Sequence, residues 1–305
     1  MIRIAVLLAA VLPPLLMLGY GIAKTRSSWK SEAIWTAFVF GALCTIAVGA
    51  FELIVQAAIS RAHLSAIADA AVTAVIMAAI PEESAKFLVL VGLAEKHVDV
   101  RRRQDYIMPA LAVSLGFAAL ENAFFVIAAG DWKVIAAARA ITAVPAHGIC
   151  GLVMGALLVA ARLSGKKITA ALALIVPVIL HAAYDFPLLA IDKNVAREFF
   201  AGIWLLILIL SSVFAILLSN RMGRKAREAD VASGRDWFSN DAATSLIWGG
   251  VLALLIGPAL AIAGYYFNGR EIATAAAAAS IFPFALGIDA ILTGFRRRRI
   301  AVRSR

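Results

Sequence analysis

Apolar residues along this chain gather into runs of spanning length, at roughly 4–23, 34–59, 66–94, 106–129, 134–161, 168–190, 199–219, 244–266 and 273–295. A bilayer's hydrocarbon core accommodates about 20 apolar residues of helix. Each run therefore predicts one crossing, and the whole predicts an all-α integral membrane protein of about nine transmembrane helices. Membrane-spanning strands would show weak alternation over about ten residues. These runs are longer and rich in Ala and Leu, both strong helix formers. No repeat with a period of about 20–50 residues is present, and no linker or low-complexity segment divides the chain.

Composition agrees with this pattern. The AVILMFWYC residues make up 63% of the 305 positions and charged residues 16%, against about 45–50% apolar and about 25% charged in soluble domains. The net charge of +10 does not mark a nucleic-acid partner, which would need a basic face on a folded domain. The basic residues lie between the runs instead, where they orient a chain in its lipid bilayer. Segments 24–33, 95–105, 162–167, 220–241 and the tail after 295 hold 21 Lys/Arg. The alternate segments hold six (Arg3, Arg61, Lys133, Lys193, Arg197, Arg270), with Lys86 and Arg139 inside runs. This alternation predicts an outside N-terminus and a cytoplasmic C-terminus. A cleaved signal peptide at the first run would put the basic 24–33 segment outside, against the alternation, so a retained first span is expected. The 220–241 segment is expected to be a solvated connection. Cys44 and Cys150 fall in apolar runs without CxxC spacing, and read as small core residues.

Ionisable groups inside spans cost about 2.5–3.5 kcal/mol or more near the bilayer centre, and so usually face a cavity or a partner. Here they crowd into four consecutive runs: Glu82, Glu83 and Lys86; Glu121; Arg139 and His147; His181 and Asp185. Counted from the cytoplasmic ends at 1.5 Å per residue, Glu83 lies ~18 Å deep, Glu121 ~22 Å, His147 ~21 Å and His181 ~20 Å. Four helices thus present acid or imidazole at nearly one level. Glu82 and Lys86 stand four apart, as do Phe117 and Glu121, and His181 and Asp185, so each pair shares a helix face. Glu82 and Glu83 diverge by about 100°, so one is expected to pair with Lys86 while the other faces the cavity. Pro81 and Pro145, just before the Glu pair and His147, loosen the backbone one turn back. Arg139, near the outer end of its run, can snorkel to the interface. Glu52 is a candidate supporting contact; Asp69 and Asp289 read as interfacial.

A carboxylate held in such a site can act as general base toward water, an imidazole can share the proton or bind an oxyanion, and a cation can keep a second carboxylate ionised. Peptide hydrolysis uses all three. Glu, His and Asp also serve as zinc ligands, although no HExxH occurs and the histidines stand on different helices. The competing function is a secondary transporter or proton relay. Transporters usually carry matched broken helices in two repeated halves, and no such correspondence is visible.

Pro81-Glu82-Glu83-Ser84-Ala85-Lys86, Gly116-Phe117-Ala118-Ala119-Leu120-Glu121-Asn122, Arg139 with Pro145-Ala146-His147, and His181-Ala182-Ala183-Tyr184-Asp185 occur in this order. Together they resemble the PrsW family of intramembrane proteases, related to type II CAAX prenyl endopeptidases and bacteriocin-processing proteins. The resemblance covers about 40–190. It implies a catalytic membrane core there, after a first span and loop (1–40) and before a three-span extension with a basic tail (191–305). It also implies a multi-pass protein of a cell membrane, of the bacterial inner-membrane type, that cleaves membrane-anchored substrates. By motif position Glu82 and Glu83 would contain the water-activating base. Glu121, His147 and His181 would complete the site, supported by Lys86, Asn122, Arg139 and Asp185. Lys86 stands where the CAAX branch has an arginine one residue later, and Glu121 where it has a histidine. The cofactor is either none or a divalent metal such as zinc, held by His147, His181 and Glu121. Lacking a compact ligand motif, the sequence favours a glutamate-driven reaction.

Overall fold

In lipid every backbone polar group must find its partner within the segment, so long apolar runs fold as helices. The computed structural model describes residues 2–25, 31–96 and 106–233. Its helices are α1 (Ile2–Thr25), α2 (Ser31–Arg61), α3 (Ala66–Val72), a π-helical stretch (Thr73–Ala79), α4 (Ile80–Lys96), α5 (Ile107–Ala128), α6 (Trp132–Ile141), α7 (Ala143–Ser164), α8 (Lys167–Asp192) and α9 (Arg197–Ala232). Among the described residues there is no strand. Six stretches there are long and apolar enough to cross a membrane: Ile4–Ile22, Glu32–Arg61, Ile107–Ala128, Trp132–Ser164, Lys167–Asp192 and Arg197–Ala232. Leu53, Ile54, Leu88, Ile168 and Leu217 stay exposed on the outside of the bundle, where lipid is their natural solvent. The expected spans at 244–266 and 273–295, with Asp289, lie outside the described residues.

Helix α5 is the hub. Every residue from Ile107 to Ala119 is buried, and α1, α2 and α7 pack around it. Hydrophobic burial does not drive helices together inside lipid, so close backbone approach through small residues takes its place. Gly41 of α2 lies against the Val113 carbonyl and Gly116 of α5 against the Phe38 carbonyl, leaving no space for a Cβ at either. On the other side, a Cβ at Gly155 of α7 would come within 2.6 Å of Ile107 Cα. Helix α8 packs on α7, α9 and the π-helical stretch, which closes a ring of helices over the level of the buried acids.

Three expectations need correction. The run at 66–94 is helical throughout but changes winding at Thr73–Ala79. The run at 134–161 is two helices meeting at Thr142, whose φ −121 and ψ −65 leave the helical basin. The 220–241 segment is not a solvated loop over its first part. Helix α9 continues to Ala232, and Met222 and Ala226 belong to the main hydrophobic core. Its basic residues are spaced on a helix with a buried apolar face, a pattern that charge counting alone passes over.

Candidate active site

Pro81 has no amide hydrogen to give to the preceding turn. Just before it the winding loosens, and the Ile80 N–H reaches back five residues to the Val75 carbonyl. Such π-helical turns are frequent at functional sites. The next two residues are Glu82 and Glu83, both buried, followed one turn later by Lys86, whose side chain is fully buried.

The Lys86 ammonium donates to Glu82 Oε2 at 3.1 Å, Glu83 Oε1 at 2.7 Å and His147 Nδ1 at 3.0 Å. An ammonium has three donors, and all three are used. Its position 4.1 Å from the centroid of the Phe117 ring covers a further side. The division of labour expected for the Glu pair therefore does not hold: one lysine bonds both carboxylates.

Because Lys86 can only donate, His147 Nδ1 accepts, and a neutral ring carries its proton on Nε2. That nitrogen lies 2.8 Å from Glu121 Oε2. Glu121 in turn receives Arg139 Nη2 at 2.6 Å, and Arg139 Nε donates to Asn122 Oδ1 at 2.7 Å. Arg139 thus turns inward to α5 and does not snorkel, and its guanidinium stacks 4.0 Å from the Phe125 ring centroid. His181 is held by carboxylates on both nitrogens, Nδ1 by Glu83 Oε1 at 2.8 Å and Nε2 by Asp185 Oδ2 at 3.1 Å. The two imidazoles meet edge to face at 5.4 Å.

All nine residues singled out in the sequence are joined in this way, from α4, α5, α6, α7 and α8. Glu52 of α2 is half-buried and hydrogen-bonds to none of them, while Asp69 pairs with Lys193 at 3.1 Å, apart from the cluster. Beside the histidines lies a cavity of about 160 Å³. Its lining includes Glu121, Arg139, His147, His181 and Asp185, together with Thr142, Ala146, Leu188 and Leu208 among others. Motif reading passed over Thr142, Tyr184 and Cys150, which also line the cavity. The signal available for Thr142 was Pro145, three residues on, a residue suited to the first turn of a new helix.

A buried acid–imidazole centre beside a cavity between membrane helices supplies the general-base and imidazole groups that a membrane-embedded hydrolase uses. Comparison with known sequences then gives the family. Residues 30–217 match the model of the PrsW family of intramembrane metalloproteases, and the chain belongs to that family, as a multi-pass membrane protease. It is 30% identical over 209 residues to Protease PrsW of Shouchella clausii, covering 67% of this chain and 94% of that one. To Protease PrsW of Halalkalibacterium halodurans it is 35% identical over 145 residues, covering 47% and 66%. To that of Bacillus subtilis it is 33% identical over 153 residues, covering 49% and 65%. No solved structure matches the chain.

The family's description implies a metal. Glu82, Glu83, His147 and His181 bring ligand-type atoms within 4.8 Å of one another, and by residue type they suit zinc. This group differs from the expected set of His147, His181 and Glu121, since Glu121 sits on the Nε2 side of His147. Ligation requires a free lone pair on each imidazole. His147 Nδ1 faces the Lys86 ammonium, and both nitrogens of His181 face carboxylates. With Lys86 where it stands, the group does not fit an ion.

Proposed function

We propose that this protein is an intramembrane endopeptidase for membrane-anchored protein substrates, with Glu82 as the base that activates water. The observation that carries this reading is the joining of two carboxylates and two imidazoles, buried among apolar helices, beside a cavity of about 160 Å³. Of the Glu pair, Glu83 is locked by Lys86 and His181 and its side chain is 0% exposed. Glu82 keeps 4% exposure, and its Oε1 is 3.9 Å from His181 Nε2, which supports Glu82 as the one within reach of water.

In the reaction, a water oxygen adds to the peptide carbonyl carbon while Glu82 takes the water's proton. The oxyanion that forms draws hydrogen bonds from Arg139, which lines the cavity and has five N–H groups, of which Glu121 and Asn122 each receive one. The C–N bond then breaks as the proton held on Glu82 passes by way of His181 Nε2, 3.9 Å from Glu82 Oε1, to the departing amine nitrogen, leaving a carboxylic acid and an amine and restoring the Glu82 carboxylate. Asp185 orients His181 through Nε2; Glu121, with Arg139 and Asn122 behind it, orients His147. Glu83 and Lys86 hold the two histidines' other sides. General base catalysis contributes about 10²–10⁴-fold, which is the loss expected for Glu82→Gln.

Cleaving a peptide bond within the membrane requires the substrate's helix to unwind locally, since the carbonyls of an intact helix are engaged in its own hydrogen bonds. The break at Thr142 and the apolar residues Ala146, Leu188 and Leu208 of the lining support a substrate segment entering this cavity. Nine spans with the N-terminus outside and the C-terminus in the cytoplasm complete the proposal, on the alternation of 21 against six basic residues. The 40–190 stretch forms its catalytic core.

The test is cleavage of single-span substrates in proteoliposomes by wild type, Glu82→Gln, Glu83→Gln and His181→Ala. The expected result is cleavage by wild type and loss of turnover in Glu82→Gln without loss of fold. Full activity in Glu82→Gln would remove it as the base. Proton or solute movement across the vesicles without any cleavage would point instead to a transporter. Labelling of engineered cysteines at 24–33 from the outside would overturn the orientation.

A further inference from the structure

We propose that the Lys86 ammonium is the resident cation of the Glu82–Glu83–His147–His181 group, standing where a divalent metal would stand, so that the folded protein binds no metal there. The two occupants make the same demands. A metal bound to His and carboxylate needs acceptor atoms converging on one point at about 2.0–2.2 Å. An ammonium needs acceptors converging at about 2.7–3.1 Å. Glu82 Oε2, Glu83 Oε1 and His147 Nδ1 converge on Lys86 Nζ at 3.1, 2.7 and 3.0 Å. Three of the four residues able to form a metal site are therefore already serving one positive charge. The fourth, His181, shares Glu83 Oε1 with Lys86.

Three features make the lysine hard to displace. It comes from α4 itself, three and four residues after its carboxylate partners, so the same helical turn that brings the acids brings the cation. The Phe117 ring, 4.1 Å from Nζ, adds attraction from its π face. The lysine side chain is 0% exposed, so an ion entering the group would leave behind an unpaired buried cation or force it to lose its proton. Of the carboxylate oxygens in the Glu pair, Glu83 Oε2 is the one that is buried without a partner. With Glu82 Oε1, 3.9 Å from His181 Nε2, that leaves two uncommitted oxygens and no free imidazole lone pair, too few ligands to hold an ion against a neighbouring ammonium.

The charge is thus supplied covalently. It pairs with the Glu83 carboxylate, takes the His147 Nδ1 lone pair and so fixes the proton on the nitrogen facing Glu121. Lys86 is a positioning residue in this scheme: it touches the acids and the imidazole, and acts through them.

The experiment reads bound metal directly and so stands apart from the proteolytic reading. Full-length protein is purified in detergent without chelator, and its zinc, iron, manganese and cobalt content is measured by mass spectrometry. The same is done for Lys86→Ala and for Lys86→Ala/His147→Ala, after equilibration with zinc and removal of the excess. Wild type is expected to hold substoichiometric metal and to show an unchanged melting temperature with zinc or with chelator. Lys86→Ala opens the lone pair of His147 and the space of the ammonium, and is expected to gain one zinc per chain with a raised melting temperature. The double variant is expected to lose that zinc. One tightly held metal per wild-type chain, lost in His147→Ala or His181→Ala, would overturn the proposal. So would a folded Lys86→Ala that takes up no zinc. If Lys86→Ala does not fold, wild type decides the matter, by its metal content and by whether chelator lowers its melting temperature.

Discussion

Removing Arg139 tests the network where its cost can be worked from contacts. Arg139 Nη2 is 2.6 Å from Glu121 Oε2 and its Nε 2.7 Å from Asn122 Oδ1, so Arg139→Met takes the cation from the Glu121 carboxylate, which keeps His147 Nε2 at 2.8 Å, and strands one amide oxygen of α5. Deleting one partner of a buried ion pair costs about 3–5 kcal/mol. The two side chains are 17% and 18% exposed and border a cavity, so the low end, about 3 kcal/mol, is expected here. The loss is the penalty of a part-buried carboxylate without its counter-ion and so should be relieved by removing that charge. Arg139→Met/Glu121→Gln should recover about 2 kcal/mol of it, a coupling within the range for residues in one network. Equilibrium unfolding in mixed micelles, followed by circular dichroism, measures both variants. An Arg139→Met protein within about 0.5 kcal/mol of wild type would refute the pairing and restore the snorkelling arginine. A double variant no more stable than the single would show that the loss came from packing against Phe125, not from the charge.

Further substitutions probe the frame and the site. At Gly155 a Cβ would stand 2.6 Å from Ile107 Cα, where 3.4 Å is ordinary contact. Gly155→Ala should therefore push α7 from α5 by about 0.8 Å, at a cost of about 1–3 kcal/mol, measured by the same unfolding assay; Gly116→Ala, which meets the backbone carbonyl of Phe38, should cost more. Asp185→Ala removes the acceptor 3.1 Å from His181 Nε2. A hydrogen bond involving a charged group contributes about 1.5–3 kcal/mol, so turnover should fall about 10–100-fold, and less in Asp185→Asn, which keeps an acceptor oxygen. Asp69→Ala breaks the Lys193 pair, whose side chains are 31% and 30% exposed. As a surface pair it should cost under about 1 kcal/mol and leave cleavage unchanged.

The level of the buried acids was legible from sequence because it depends on two things a sequence displays: where each apolar run ends and how far a helix rises per residue. Which partner each acid takes depends on side-chain reach and on neighbouring helices, and there the reading was weaker. The 100° between Glu82 and Glu83 argued for one lysine contact. Lys86, however, lies at i+3 from one and i+4 from the other, both neighbours on a helix surface, with four methylenes to swing between them. Arg139 could be given a depth but not a partner, since Glu121 belongs to a helix whose packing no local pattern reveals. Prolines fared better. Pro81 stands just after the loosened π-helical winding, and Pro145 stands third in α7, within the turn whose amides have no partner inside the helix in any case. Both lie within a few residues of the ionisable groups they precede, and both mark points where regular helical hydrogen bonding gives way in an otherwise continuous apolar run. A membrane helix interrupts its bonding only where other polar groups or water can take over. The two prolines and the buried acids are therefore one signal: the place where the bundle's interior is polar enough to admit water.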